Sequence, residues 1–151
     1  MPNPVMPTPV MPNPVMTAAE VTEFLDKVFP QLRDGQSEIM DIGPMTARLR
    51  LPVTERNLRP GGTVSGPSMM SLADYAMYAV ILGHIGPVAL AVTTNLNINF
   101  LRKPGPTDIF AEAKLLKLGK RLAVGEVLIT QAGLDGPVAH VTSTYSIPPR
   151  D

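Results

Sequence analysis

The sequence contains no cysteine, so neither a disulfide framework nor a thiolate metal site is available, and nothing points to an oxidising compartment. The expected location is the cytoplasm. An excess of either charge is missing as well: Lys+Arg and Asp+Glu are both 13, and no basic block is present to hold phosphates in a row, so a nucleic-acid partner is not expected. Long hydrophobic runs are also absent. The longest is broken by Asp74 and is too short to span a bilayer, and no basic stretch followed by an apolar run opens the chain, so neither a membrane span nor a targeting segment is read. Histidine is scarce. His84 and His140 stand far apart, outside any ligand-spaced cluster, so both read as structural or surface residues and no metal is expected.

What remains is an ordinary globular composition, 44% hydrophobic and 17% charged over 151 residues. The first sixteen residues, "MPNPVMPTPVMPNPVM", repeat a five-residue unit three times. Proline at that density forbids helices and ladders and favours an extended, solvated chain. The segment reads as a low-complexity tail, with a ligand for a polyproline-reading domain as the functional alternative. Residues 17–151 then make a single domain.

In that domain "TAAEVTEFLDKVFP" has a cap at Thr17 with Glu20 three positions on. Val21, Phe24, Leu25 and Val28 follow at helical spacing, and Pro30 ends the short helix. A linker rich in turn residues follows, then "TARLRLPV", where Arg48 and Arg50 alternate with Leu49 and Leu51 as in a half-exposed strand. Beyond residue 90, "AVTTNLNINF" alternates Val92, Thr94, Leu96, Ile98 and Phe100 against Thr93, Asn95, Asn97 and Asn99. "DIFAEAKLLKL" and "RLAVGEVLITQ" flank a tight Gly-Lys turn, and "VAHVTSTYSI" follows a second turn. One strand, one long apolar helix and four antiparallel strands make an α+β fold with the sheet packed on the helix.

The helix opens at Gly66-Pro67, where proline fits the first turn and Ser65 or Ser68 can accept from otherwise free N–H groups; "GHIG" closes it. Its residues are apolar in almost every direction, the pattern of a buried helix. Asp74 interrupts that pattern two turns in, too deep to act as a cap. A carboxylate there must protonate or find donors, and the structural alternative to a catalytic role is a place at the helix edge, bonded to a neighbouring hydroxyl such as Tyr75 or Tyr78 or to solvent.

Together "GGTVSGPSMMSLADYAMYAVI", "AVTTNLNINFLRKPGP" and "LLKLGKRLAVGEVLI" resemble the hotdog-fold acyl-CoA thioesterases of the PaaI-like group, over roughly residues 40 to 148. The resemblance implies a five-stranded antiparallel sheet wrapped around one long helix. It implies a homodimer or dimer of dimers with active sites at the seam, and no cofactor beyond the coenzyme A of the substrate. Gly66 matches the glycine whose N–H polarises the thioester carbonyl, and Asp74 the carboxylate that attacks or activates water. Thr93 matches a hydroxyl that positions this water. Ser65 stands where the family has histidine and Pro67 where it has a second glycine, and the family's upstream Asn or Gln aligns by count with Arg59, with Asn57 two positions earlier. Loops carrying Arg102, Lys103, Lys120 and Arg121 match those that meet the nucleotide, although solvated turns also carry such charges. Thr94, Asn95 and the other asparagines of the strand are candidates for pantetheine amides or a subunit seam, and Met70 and Tyr78 for the pocket wall.

Helix geometry adds an independent point. Eight residues separate Gly66 from Asp74, about 12 Å at roughly 1.5 Å per residue, whereas an oxyanion donor and a base must reach one carbonyl. If both act, they act from opposite subunits. The expected reaction is hydrolysis of a small aryl or short- to medium-chain acyl-CoA. The alternatives are a non-catalytic acyl-CoA or lipid-binding hotdog protein and a hydratase or dehydratase, against which the lack of a histidine near the segment counts.

Overall fold

The computed structural model describes residues 11–150, apart from the side chains of 33–35. The proline-rich reading of residues 1–10 lies outside them. Among the described residues, no helix is long and apolar enough to cross a membrane.

Helix α1 (Ala18–Val28) begins with the expected capping box. The Thr17 hydroxyl accepts from the Glu20 N–H at 3.1 Å and the Glu20 carboxylate accepts from the Thr17 N–H at 3.0 Å. Its buried face carries Val21 and Leu25; Val28, expected on that face, is exposed in the last turn. A 3-10 turn (Pro30–Gly35) follows. The segment expected to be a linker then forms strand β1 (Glu38–Gly43), paired antiparallel with β2 (Thr46–Leu51). This adds a sixth strand to the expected five. Strand β1 lies at a sheet edge and is only half-buried, with a register shift between Ile39 and Asp41, so its sequence lacks the alternation by which a strand is recognised.

A short turn (Glu55–Asn57) and a two-residue ribbon, β3 (Leu58–Arg59) with β4 (Thr63–Val64), lead into helix α2 (Gly66–Ile85). Strands β5 (Val92–Phe100), β6 (Ile109–Leu118), β7 (Leu122–Thr130) and β8 (Ala139–Ser146) complete an antiparallel sheet in the order β1-β2-β6-β7-β8-β5. Gly119 closes the β6–β7 hairpin by donating to the Leu122 carbonyl at 2.8 Å. The sheet curls around α2, whose Leu72, Ala76, Met77, Ala79, Val80, Ile81 and Leu82 are buried against the inward residues of every strand layer. Close approach explains Gly125 in the middle of β7, since a Cβ there would lie 2.7 Å from the Met77 sulfur and 2.9 Å from the Lys114 carbonyl oxygen.

The C-terminal end of α2 is also closed by the chain before α1. The Val15 and Met16 N–H groups donate to the Gly83 carbonyl at 2.7 and 3.1 Å, satisfying one of the free carbonyls of the last turn. His84 accepts from the Met45 N–H at 2.8 Å through Nε2, so Nδ1 carries the proton given to the Val80 carbonyl at 2.7 Å. His140 on β8 faces Glu126 on the neighbouring β7 at 3.0 Å. Both rings are thus engaged in bonds away from Asp74.

Candidate active site

Helix α2 carries both of the residues expected to act, Gly66 at its start and Asp74 two turns further on. At its start, Ser65 is the N-cap, its hydroxyl accepting from the Ser68 N–H at 3.3 Å and donating to the Ser68 hydroxyl at 3.0 Å. The Ser65 carbonyl accepts from the Met69 N–H at 3.2 Å. Pro67 has no N–H. Of the four residues that open the helix, only Gly66 therefore keeps an N–H without an acceptor among the described residues. It stands at the positive end of the helix dipole, where developing negative charge is stabilised. A Cβ at Gly66 would lie 3.2 Å from the Phe100 ring, so the close approach of β5's end favours glycine.

Asn57 buttresses this terminus. Its carbonyl accepts from the Ser65 N–H at 2.7 Å, and its side chain accepts from the Thr54 N–H at 2.9 Å while donating to the Ser68 hydroxyl at 3.3 Å. With its amide engaged in these turns, Asn57 positions the helix start.

Two turns further, Asp74 is half-buried, and its Oδ1 accepts from the Thr93 hydroxyl at 2.6 Å and the Tyr145 hydroxyl at 2.8 Å. The tyrosine also reaches the Asp74 carbonyl oxygen at 3.1 Å. These donors come from β5 and β8; the partners expected from adjacent sequence, Tyr75 and Tyr78, do not fill this role. The Tyr78 hydroxyl donates instead to the Ala89 carbonyl at 2.6 Å, and its ring stacks on Tyr145 with centroids 6.1 Å apart. Burial, followed by the neighbouring Asp74 carboxylate, raises the Tyr145 phenol far above the ordinary tyrosine range. It remains a protonated donor.

Thr93 reaches Asp74 because β5 departs from strict alternation. A register shift between Thr93 and Asn95 leaves Thr94 as the extra residue. Thr93 consequently turns toward α2 with Leu96 and Ile98, whereas Val92 and Thr94, which strict alternation groups with Leu96 and Ile98, are exposed. Thr94 donates to the Thr144 carbonyl at 3.2 Å, and Asn95, Asn97 and Asn99 are exposed along the edge strand.

Residues of α2 line concavities among the described residues. The first, about 460 Å³, holds Asp74, Thr93, Tyr145 and Tyr78, walled by Phe29, Leu32, Tyr75 and residues 89–92. The second, about 450 Å³, holds Gly66 with Arg59, Arg102 and Lys103, beside Met69 and Phe100. A third of about 230 Å³ contains Asn57, Pro67, Ser68 and Ser71. Arg102 is fixed on the turn before β8, donating to the Pro137 carbonyl at 2.9 Å with its guanidinium flat against Gly136. Lys120 and Arg121 lie outside all three, on the β6–β7 hairpin, where Arg121 donates to the Ile147 carbonyl at 3.1 Å. Met70 is exposed on the open stripe of α2 with Pro67 and Ser71. Among the described residues no three His, Cys, Asp or Glu side chains gather as a metal site.

Tyr145 is the site residue that sequence reasoning missed. In "VAHVTSTYSI" it occupies an inward position of an alternating strand, the pattern of a core aromatic, and only the pairing of Thr93 with Tyr145 across β5 and β8 brings it to Asp74.

Known proteins share this architecture. The model of the thioesterase superfamily matches residues 61–137, half of the chain. A provisionally named thioesterase from Silicibacter sp. TM1040 superposes with a TM-score of 0.82 at 49% identity, covering 90% of this chain and 94% of its own. The PaaI protein of the Escherichia coli phenylacetic acid degradation operon superposes at 0.76 over 87% of this chain and 94% of its own, and at 20% identity this likeness concerns the fold. A provisionally named esterase from Thermoplasma acidophilum is 27% identical over 117 residues, 76% of this chain and 85% of its own. With its sheet curled around α2, the chain belongs to the thioesterase superfamily and has the hotdog fold, the fold of PaaI.

Proposed function

We propose that the protein hydrolyses an acyl-CoA thioester to the free acid and coenzyme A, at two equivalent sites, each shared by two copies of the chain. The observation that carries this reading is the separation of the two groups on one helix. Asp74 lines one cavity and Gly66 another, about 12 Å apart along the axis.

Two-fold pairing brings them together. If Asp74 of one chain meets Gly66 of its partner, symmetry imposes the reciprocal contact, the two helices run antiparallel, and the axis passes midway, at Met70. Met70 is 42% exposed, on one stripe with exposed Pro67 and Ser71 and half-buried Asp74. Strand β5 is the adjacent free edge of the sheet, with Val92, Phe100 and Leu101 exposed. An uncovered stripe centred on Met70, beside an open edge strand with exposed apolar side chains, supports a subunit seam.

In the reaction, the thioester carbonyl oxygen accepts from the Gly66 N–H, whose helix dipole stabilises the oxyanion. The donor of Thr93 is already directed at Asp74 Oδ1, so toward water this hydroxyl offers only lone pairs. A water between them gives one hydrogen bond to Thr93 and its other proton to Asp74 Oδ2, leaving its own lone pair free to attack. This geometry favours Asp74 as general base over direct nucleophile. Collapse of the tetrahedral intermediate expels the thiolate, which recovers the proton from Asp74. Ser65 has its hydroxyl committed to the cap and takes no part in the transfer. Arg59, Arg102 and Lys103 on the Gly66 side suit the phosphates of coenzyme A.

The test is thiol release from a panel of acyl-CoAs by the native protein and by Asp74→Asn. Turnover that depends on Asp74 supports hydrolysis. Tight binding of coenzyme A esters without turnover would favour a non-catalytic binding protein.

A further inference from the structure

We infer that Tyr78 is a positioning residue for the reaction: with its own hydroxyl bonded away from Asp74, it holds in place both hydroxyls that serve Asp74, Tyr145 through its ring and Thr93 through the turn before β5. This rests on the hydrolase reading above, in which Asp74 is the base and Thr93 helps to hold the water.

Tyr78 lies one helical turn beyond Asp74, so the two side chains share a face of α2 and line the same cavity. It is buried, and burial raises its phenol above the ordinary tyrosine range, so the hydroxyl stays a donor. Its ring stacks on that of Tyr145, with centroids 6.1 Å apart and planes inclined by 27°. Tyr145 must keep its hydroxyl 2.8 Å from Asp74 Oδ1, although the phenol can swing about two side-chain torsions. A stacked partner blocks one direction of that swing.

The Tyr78 hydroxyl acts on the other donor. Residues 86–91 turn the chain from α2 into β5, beginning at Gly86 with a φ of 92°. Inside the turn, the Val88 N–H donates to the Gly86 carbonyl at 2.8 Å and the Ala91 N–H to the Val88 carbonyl at 3.1 Å. These bonds shape the turn without tying its tip to the helix. Tyr78 supplies that tie, donating to the Ala89 carbonyl at 2.6 Å. Burial on either side of Ala91 adds little, since Leu90 is 79% exposed and Val92 56%. Val92 and Thr93 are then the residues of β5 that pair with β8 ahead of the register shift. That is a short footing for a hydroxyl that must stay 2.6 Å from Asp74, and short, poorly buried ladders open readily. Thr93 and Tyr145 are moreover direct cross-strand partners, so both supports converge on one pair of residues.

The experiment measures kcat and KM on the acyl-CoA that the native protein turns over fastest. Tyr78→Phe removes the tie and keeps the ring; Tyr78→Leu removes both. The first should lower kcat by about fivefold, the scale of one neutral hydrogen bond, with KM little changed. The second should lower it by about twentyfold or more, the stacking being lost as well. Each loss is then measured again without the donor it serves. In Thr93→Val, which lacks the hydroxyl but keeps the branched shape, adding Tyr78→Phe should cost about twofold or less. In Tyr145→Phe, the further step to Tyr78→Leu should shrink in the same way. Partial unfolding would instead multiply with the loss of either donor. If the leucine variant does not fold, the cycle with Tyr78→Phe decides alone. A native kcat in Tyr78→Phe, whatever its melting temperature, or losses that multiply in full, would overturn the inference and leave the hydrolase reading intact. No thiol release by the native protein from any ester overturns that reading, and the inference with it.

Discussion

The Tyr145 hydroxyl stands 2.8 Å from Oδ1 of Asp74 although 71 positions separate the residues in sequence. Thr93 reaches the same oxygen at 2.6 Å, so one carboxylate oxygen is held by two hydroxyls in a residue that lines the cavity. Replacing Tyr145 with Phe removes one donor and leaves the ring stacked on Tyr78. The expected result is a fall in kcat of about tenfold, the scale of one hydrogen bond to a charged group, with KM little changed. A purely structural tyrosine would alter the melting temperature without this kinetic split.

Asp74→Asn tests the base itself. The amide keeps a carbonyl oxygen to accept from Thr93 and Tyr145, so the fold should hold, yet it cannot take a proton from water. Thiol release should fall by about 100-fold or more, with circular dichroism and melting temperature close to those of the native protein.

Shared sites make a separate prediction. Gly66→Pro removes the N–H while keeping a backbone angle suited to the first helical turn, and the exposed Phe100 ring can yield to the added ring atoms. Alone, this variant and Asp74→Asn should each be nearly inactive. Co-refolded in equal amounts, their mixed dimers would contain one site with both defects and one with none. Activity should then recover to about one quarter of the native level, half of the dimers being mixed and half of their sites intact. Sites contained within single chains would give no recovery.

The long helix and the β6–β7 hairpin were legible because their signals are local: Ser-Gly-Pro before an unbroken apolar stretch, and Gly-Lys between two alternating runs. Strand β1 was not legible, since an edge strand with a register shift and half-buried residues on both faces has no period to read. The Asp74 environment was legible only in part. Strict alternation grouped Thr93 with the asparagines and apart from Leu96 and Ile98, and one bulged residue, Thr94, reverses that grouping. Tyr145 required knowing that β8 lies beside β5, a pairing of strands far apart in sequence that no single stretch encodes.

Stability at low pH should depend on the ion pair that joins β2 to the loop before β6. The Arg50 guanidinium holds Asp108 at 2.7 and 2.9 Å, and the Val53 N–H reaches the other carboxylate oxygen at 3.2 Å. The hydrogen bond from Arg50 is the main cause that lowers the Asp108 carboxyl below its ordinary value. A carboxyl with a depressed folded-state pKa stabilises above its unfolded value, about 3.9, and loses that contribution as pH falls through the lower folded value. Asp108→Asn should therefore melt below the native protein at neutral pH, with the difference shrinking below about pH 4. A gap constant across the titration would assign the effect to packing.

Arg102 offers the sharpest separation of binding from chemistry. Its guanidinium lies flat on Gly136 and is tied to the Pro137 carbonyl, which holds it at the mouth of the Gly66 cavity. A Cβ at Gly136 would come within 2.7 Å of the guanidinium carbon. That atom is the end of a flexible side chain, so Gly136→Ala should displace Arg102 at little cost in stability. If Arg102 binds the phosphates of coenzyme A, KM for an acyl-CoA should rise by about tenfold, the value of one charge-assisted hydrogen bond, with kcat preserved. The corresponding acyl-pantetheine has no nucleotide for Arg102 to meet, so its turnover should not change. An equal loss on both substrates would mean that the turn, rather than the cation, supports the site.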